Sequence, residues 1–120
     1  ESKAYMKEKK VEFAGEIDIP FAIIDPTTPL TKAKQLGADW AFTAALFATL
    51  GPLLKENHEK GFGLKFAANS FGVDPAVIPR AGAEAAEALY GTFAFYFLHE
   101  NTEGMGLVKK KYGIWVTKIF

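Results

Sequence analysis

From Trp40 to Leu54 the chain reads WAFTAALFATLGPLL, with no charged residue and with Thr43 and Thr49 as its only polar side chains. A surface helix would carry polar residues along one face at a 3.6-residue spacing; here every face is apolar, so the stretch must be enclosed by protein. The pattern predicts a central buried helix. At about 1.5 Å per residue the run covers about 22 Å, short of the roughly 30 Å of a bilayer core, and Gly51-Pro52 interrupts it, so it is not read as a membrane span.

A chain of 120 residues can bury about two-thirds of its unfolded surface around one core. Residues 11–120 are therefore read as a single α+β domain behind a charged lead-in at 1–10 (ESKAYMKEKK). With Cys 0, disulfides, thiol catalysis and thiolate metal sites are excluded. Lys+Arg 14 balances Asp+Glu 14, which argues against a nucleic-acid or anionic-membrane partner held by long-range attraction. Phe 11 supplies area without a hydrogen-bonding handle, favouring a tight core, an oligomer interface or a lipophilic pocket over a polar catalytic cleft. The first residue is Glu1 rather than Met, so either a leader has been removed or the chain has been trimmed, and the compartment stays open.

Along the chain, Val11, Phe13, Gly15, Ile17, Ile19, Phe21 and Ile23 alternate with Glu12, Ala14, Glu16, Asp18, Pro20, Ala22 and Ile24, the period of a strand. Asp25-Pro26 and Thr28-Pro29 predict a corner and a short helix over 29–36 stopping at Gly37, and Asp39 reads as the cap of the central helix. Phe62, Leu64 and Phe66 alternate like a short strand, while LKFAANSF equally fits a helical turn or two. Asp74-Pro75 reads as a further cap, and 80–90 as an Ala/Glu helix. The Thr, Phe and Tyr of 92–98 favour a strand, NTEG at 101–104 a hairpin loop, and LVKKKYGIWVTKIF its partner strand, with Lys109 to Lys111 protecting an edge. The expected fold is a small antiparallel sheet of three or four strands packed against helices, with one central all-apolar helix.

Candidate chemistry is sparse. His58 and His99 each adjoin a glutamate and, with Glu16 or Asp18, could form an acid/base set, although neither lies in an HExxH motif. In that reading His99 is the base, His58 or Asp18 assists, and Tyr90 or Tyr96 donates to a bound oxygen. A window of Ala68, Gly72, Val73, Ile78 and Arg80 has helix-turn-helix spacing, but Pro75 and Pro79 fall in its reading helix and Glu84 and Glu87 follow. Gly61-Phe62-Gly63 lacks a phosphate-cradle context, and Ser2 and Ser70 sit in no nucleophile elbow. The apolar excess fits close packing of the core first and, as the alternative, a cavity lined by Phe42, Phe47, Phe93, Phe95 and Phe97 beside His99 that admits a lipophilic guest.

The reading these residues favour is a non-enzymatic binding or assembly module. Its apolar pocket or surface would take a hydrophobic small molecule, a prosthetic group or a protein partner, as a homo-oligomer or a complex subunit. The alternatives are a small enzyme using histidine acid/base chemistry and a helix-turn-helix-like DNA-binding regulator.

Overall fold

The structure is a computed structural model and describes residues 2–93 and 102–116. Its centre is the unit that begins inside the apolar run. Helix α2 (Thr27–Gln35) leads into strand β1 (Trp40–Thr43), helix α3 (Phe47–Glu59) and strand β2 (Lys65–Ala68). A 3-10 turn at Pro75–Val77 and two one-turn helices, α4 (Ile78–Ala81) and α5 (Ala83–Ala86), lead to strand β3 (Leu89–Gly91). Helices α1 (Ser2–Glu8) and α6 (Glu103–Val116) lie at the two ends.

The sheet is ordered β1-β2-β3 and is parallel throughout, with Ala41 opposite Phe66 and Phe66 opposite Leu89. This corrects the antiparallel sheet expected from the sequence. Parallel neighbours need a crossover connection, and here the crossovers are α3 and the α4–α5 pair. Residues 11–24, expected to be a strand, are an irregular extended segment that bends at Phe21, Ala22 and Ile24 and does not join the ladder; of its alternating residues Ile17, Ile19 and Ile23 pack against the core, while Val11, Phe13 and Phe21 stay exposed. The expected C-terminal strand is helix α6, and 94–101, including most of the expected strand at 92–98, lie outside the described residues.

The apolar run is likewise two elements rather than one helix. A charge-free stretch has no period that separates a strand buried in a sheet from a buried helix, and Trp40, Phe42 and Thr43 are residues that fit a strand. Asp39 starts β1, its carbonyl accepting from the Lys65 amide at 3.0 Å, and does not cap α3. The helix expected at 80–90 breaks at Gly82, whose φ of 90° admits few side chains, and its end becomes β3.

Helix α3 turns Thr49, Leu50, Leu53, Leu54 and Asn57 inward, the i, i+3, i+4, i+7 spacing of one buried face. With Leu30 and Ala33 of α2, Leu64, Phe66 and Ala68 of the sheet, and Val77, Ala81 and Ala85, they form the core. Each fully buried leucine stabilises by about 1.5–3 kcal/mol. Both α2 and α3 end in the same device. Gly37 and Gly61 take positive φ, so that the amides of Ala38 and Phe62 reach back to the carbonyls of Ala33 and Asn57 at 3.1 and 3.0 Å.

A polar clasp closes α2 onto the last turns of α3. The Asp25 carboxylate accepts from the amides of Thr27 and Thr28 and from the Thr28 hydroxyl. The Thr27 hydroxyl donates to Glu56, and the Lys60 ammonium reaches Glu56 at 2.7 Å and Thr27 at 2.9 Å. The Thr28 hydrogen bonds hold Asp25 below its ordinary carboxylate value, and Lys60, then Thr27, do the same for Glu56. A depressed folded-state pKa stabilises above the unfolded value and is lost as pH falls through the folded one. Urea midpoints should therefore be level from neutrality to about pH 5 and decline below about pH 4. Glu56→Gln should flatten part of that decline, and an unchanged acid limb in this variant would remove Glu56 as a contributor.

Candidate functional site

The two edges of the parallel sheet differ in chemistry. At the amino edge, where α3 ends and β2 begins, an open cavity of about 370 Å³ is lined by Asn57, His58, Lys65, Glu84, Glu87 and Tyr90, among others. His58 Nε2 stands 3.4 Å from Glu84 Oε2, with the two side chains 51% and 88% exposed. Such an exposed pair contributes about 0–1 kcal/mol. Asp18, the proposed assistant, is exposed on the extended segment and takes no part in this cavity. His99 and Tyr96 lie outside the described residues, as do Phe95 and Phe97. Among the described residues, no group of three or more His, Asp or Glu is placed to hold a metal. The helix-turn-helix window does not form such a motif: Ala68 closes strand β2 and Arg80 sits in the one-turn α4.

The carboxyl edge is built from the loops that leave β1 and β2 and from the first turn of α3. The β1–α3 loop is Ala44-Ala45-Leu46, in which the Thr43 hydroxyl accepts from the Ala45 amide at 3.0 Å. The loop after β2 runs Asn69-Ser70-Phe71-Gly72. The two loops are joined where the Phe47 amide donates to the Phe71 carbonyl at 3.2 Å. Close approach is enforced by small residues: a Cβ at Gly72 would lie 2.7 Å from the Ala68 Cβ and 3.0 Å from the Ala45 oxygen. The extended segment is pinned to the same end of α3, the buried Thr49 hydroxyl donating to the Phe21 carbonyl at 2.6 Å.

Phe71 is 66% exposed and Phe21 is 72% exposed at this edge. Asn69 Oδ1 is buried without a hydrogen-bond partner among the described residues. A buried acceptor left unpaired costs about 1–3 kcal/mol. Of the phenylalanines expected to line one cavity, Phe47 packs against the core beneath the Arg80 guanidinium, 4.9 Å from its ring centroid. Phe42 stands on the sheet face that the helices do not cover, and Phe93 follows β3 at half burial. Phe42 and Phe47 thus lie on opposite sides of the sheet and do not face one cavity. Phe71 and Phe21 were missed because their neighbours make them look like core; only the loops they occupy bring them to the α3 terminus.

The face bearing Phe42 also carries Trp40, Lys65, Ala67 and Tyr90. The Trp40 and Tyr90 rings meet at 5.1 Å and the Lys65 ammonium lies 5.4 Å from the Trp40 ring. No helix among the described residues is long and apolar enough to cross a membrane.

Comparison with known proteins places this arrangement. A solved structure of a branched-chain amino acid ABC transporter protein from Thermus thermophilus with bound valine superposes with a TM-score of 0.82 at 23% sequence identity. The match covers 93% of this chain and 30% of that one, so the chain spans under a third of the length of that structure. At this identity the likeness is one of fold. No curated protein matches the chain. The sequence pattern of the periplasmic binding proteins, however, runs through residues 1–113 and so through every strand of the parallel sheet, and the chain belongs to the periplasmic binding protein family.

Proposed function

We propose that this chain forms part of one lobe of a small-molecule binding protein. Its share of the ligand site is the carboxyl edge of β1 to β3, not the amino-edge cavity. In open parallel α/β sheets ligands bind in the crevice outside the carboxyl ends of the strands, where loops are free to vary and helix amides point outward. The observation that carries the reading is the junction of the two loops at Phe47 and Phe71, which holds an exposed ring beside the first turn of α3. A half-site shared between two lobes is an open surface in each.

The ligand in this reading is a small molecule with an apolar portion. Valine, bound in the comparison structure, is the first probe. The partner is an ABC transporter that receives the ligand. Parallel sheets are covered on both faces, so the face bearing Trp40, Phe42 and Tyr90 serves protein contact rather than ligand contact.

Titration calorimetry of the intact protein with valine tests this. Phe71→Ala should weaken binding by about tenfold, the effect of losing roughly 1.4 kcal/mol of contact, with no change in thermal midpoint because the ring is exposed. Glu84→Gln, in the amino-edge cavity, should bind as the unsubstituted protein does. The reverse pattern would move the site to the amino edge.

A further inference from the structure

The first turn of α3 is tied weakly to its own helix. Pro52 lies inside α3 and has no amide to return to the Ala48 carbonyl, so the ladder that joins the first turn to the second lacks a rung. Leu46, at the N-cap, offers no side-chain hydrogen bond either. The turn is held instead from outside, by three segments distant in sequence. The Phe47 amide donates to the Phe71 carbonyl, the Thr49 hydroxyl donates to the Phe21 carbonyl, and the Arg80 guanidinium lies 4.9 Å from the centre of the Phe47 ring.

Arg80 is set in place by Gly51 and Ala76. A Cβ at Gly51 would meet the Arg80 Cβ at 2.5 Å and its Cδ at 3.3 Å, so the glycine lets the arginine stem lie along α3 one turn beyond Phe47. At the far end Nη1 donates to the Ala76 carbonyl at 3.1 Å, which fixes the guanidinium near the ring.

We infer that Arg80 is a positioning residue: it clamps the first turn of α3 and, through the Phe47 amide, steadies the loop that presents Phe71. Its bearing on a ligand rests on the carboxyl edge being the site. A cation is attracted to the negative face of an aromatic ring, an effect of about two- to fivefold on an equilibrium at an exposed position.

Arg80→Gln keeps the stem against Gly51 and removes the cation. Amide order parameters of the intact protein need no ligand: Phe71 should fall from about 0.85 toward 0.6 while buried Leu64 keeps its value. Arg80→Lys, which restores a cation above the ring, should recover most of that loss. Calorimetry with valine should show Arg80→Gln weakening binding by about two- to fivefold, and by nothing further in a Phe71→Ala background, because both changes act through the same ring. Unchanged order parameters overturn the inference whether or not valine binds. A cost that adds in full to that of Phe71→Ala overturns it as well, since Arg80 then acts elsewhere. If Phe71→Ala weakens valine and Arg80→Gln does not, the carboxyl-edge site stands and the inference falls. If valine binds and neither variant changes its affinity, the site is wrong, and the loosening of Phe71 alone decides the clamp.

Discussion

Asn57→Leu should lower the unfolding free energy by about 2–5 kcal/mol, a large fraction of the roughly 5–15 kcal/mol of an ordinary domain. Asn57 is 4% exposed, and its side chain makes a reciprocal pair with one residue: Nδ2 donates to the Leu64 carbonyl and Oδ1 accepts from the Leu64 amide, each at 3.0 Å. Leu64 is itself 1% exposed and precedes β2, so these bonds align the strand with the end of α3. Leucine has the same branched skeleton of heavy atoms but strands a buried N–H and a buried C=O, each costing about 1–3 kcal/mol. The urea midpoint should fall with an unchanged m-value. A midpoint shift below about 1 kcal/mol equivalent would mean that water replaces the amide and that the Asn57–Leu64 pair does not set the α3–β2 geometry.

Gly91→Ala is the second large effect, from close approach rather than backbone freedom. A Cβ there would sit 2.3 Å from Val73 Cγ1 and 2.5 Å from the Ala68 carbonyl oxygen. Rotation of Val73 could relieve the first contact, but the second is with the backbone of the neighbouring strand, so β2 and β3 would have to part. Overpacking of this kind costs about 1–3 kcal/mol and more where backbone must move. Gly82→Ala is the control, since a Cβ there meets nothing within 4 Å and only its φ of 90° is strained. Thermal denaturation should rank Gly91→Ala well below Gly82→Ala. The opposite order would show that the β2–β3 contact is looser than its spacing implies.

Much of the local structure was legible. The glycines at 37 and 61 mark helix ends, Asp74 caps the turn that follows it, and the alternation of Leu64 and Phe66 enters β2. These features are short-ranged, set by the φ that a residue permits or the oxygen it can offer an adjacent amide. The direction of the sheet was not legible. A strand of four residues such as Trp40–Thr43 has the same composition whether its neighbour runs parallel or antiparallel. The alternation at 11–24 shows how a period-two pattern can serve an extended segment packed on helices as well as a paired strand.

The site divides in the same way. The absence of charge from 40–54, 66–73 and 88–98 is a property of the sequence alone, and so is the exclusion of thiol chemistry. That strands β1, β2 and β3 run to one edge of a sheet, with Arg80 against Phe47 and Phe71 joined to the first turn of α3, was decided by the tertiary structure. The residues concerned are separated by 24 to 33 positions, and local propensities carry no information over that distance. Hydrophobic burial took the helical half of the apolar run inside, from Thr49 to Leu54, while Trp40 and Phe42 stay exposed on the sheet; the crossover of α3 over the sheet decided which part of the run lies at the carboxyl edge.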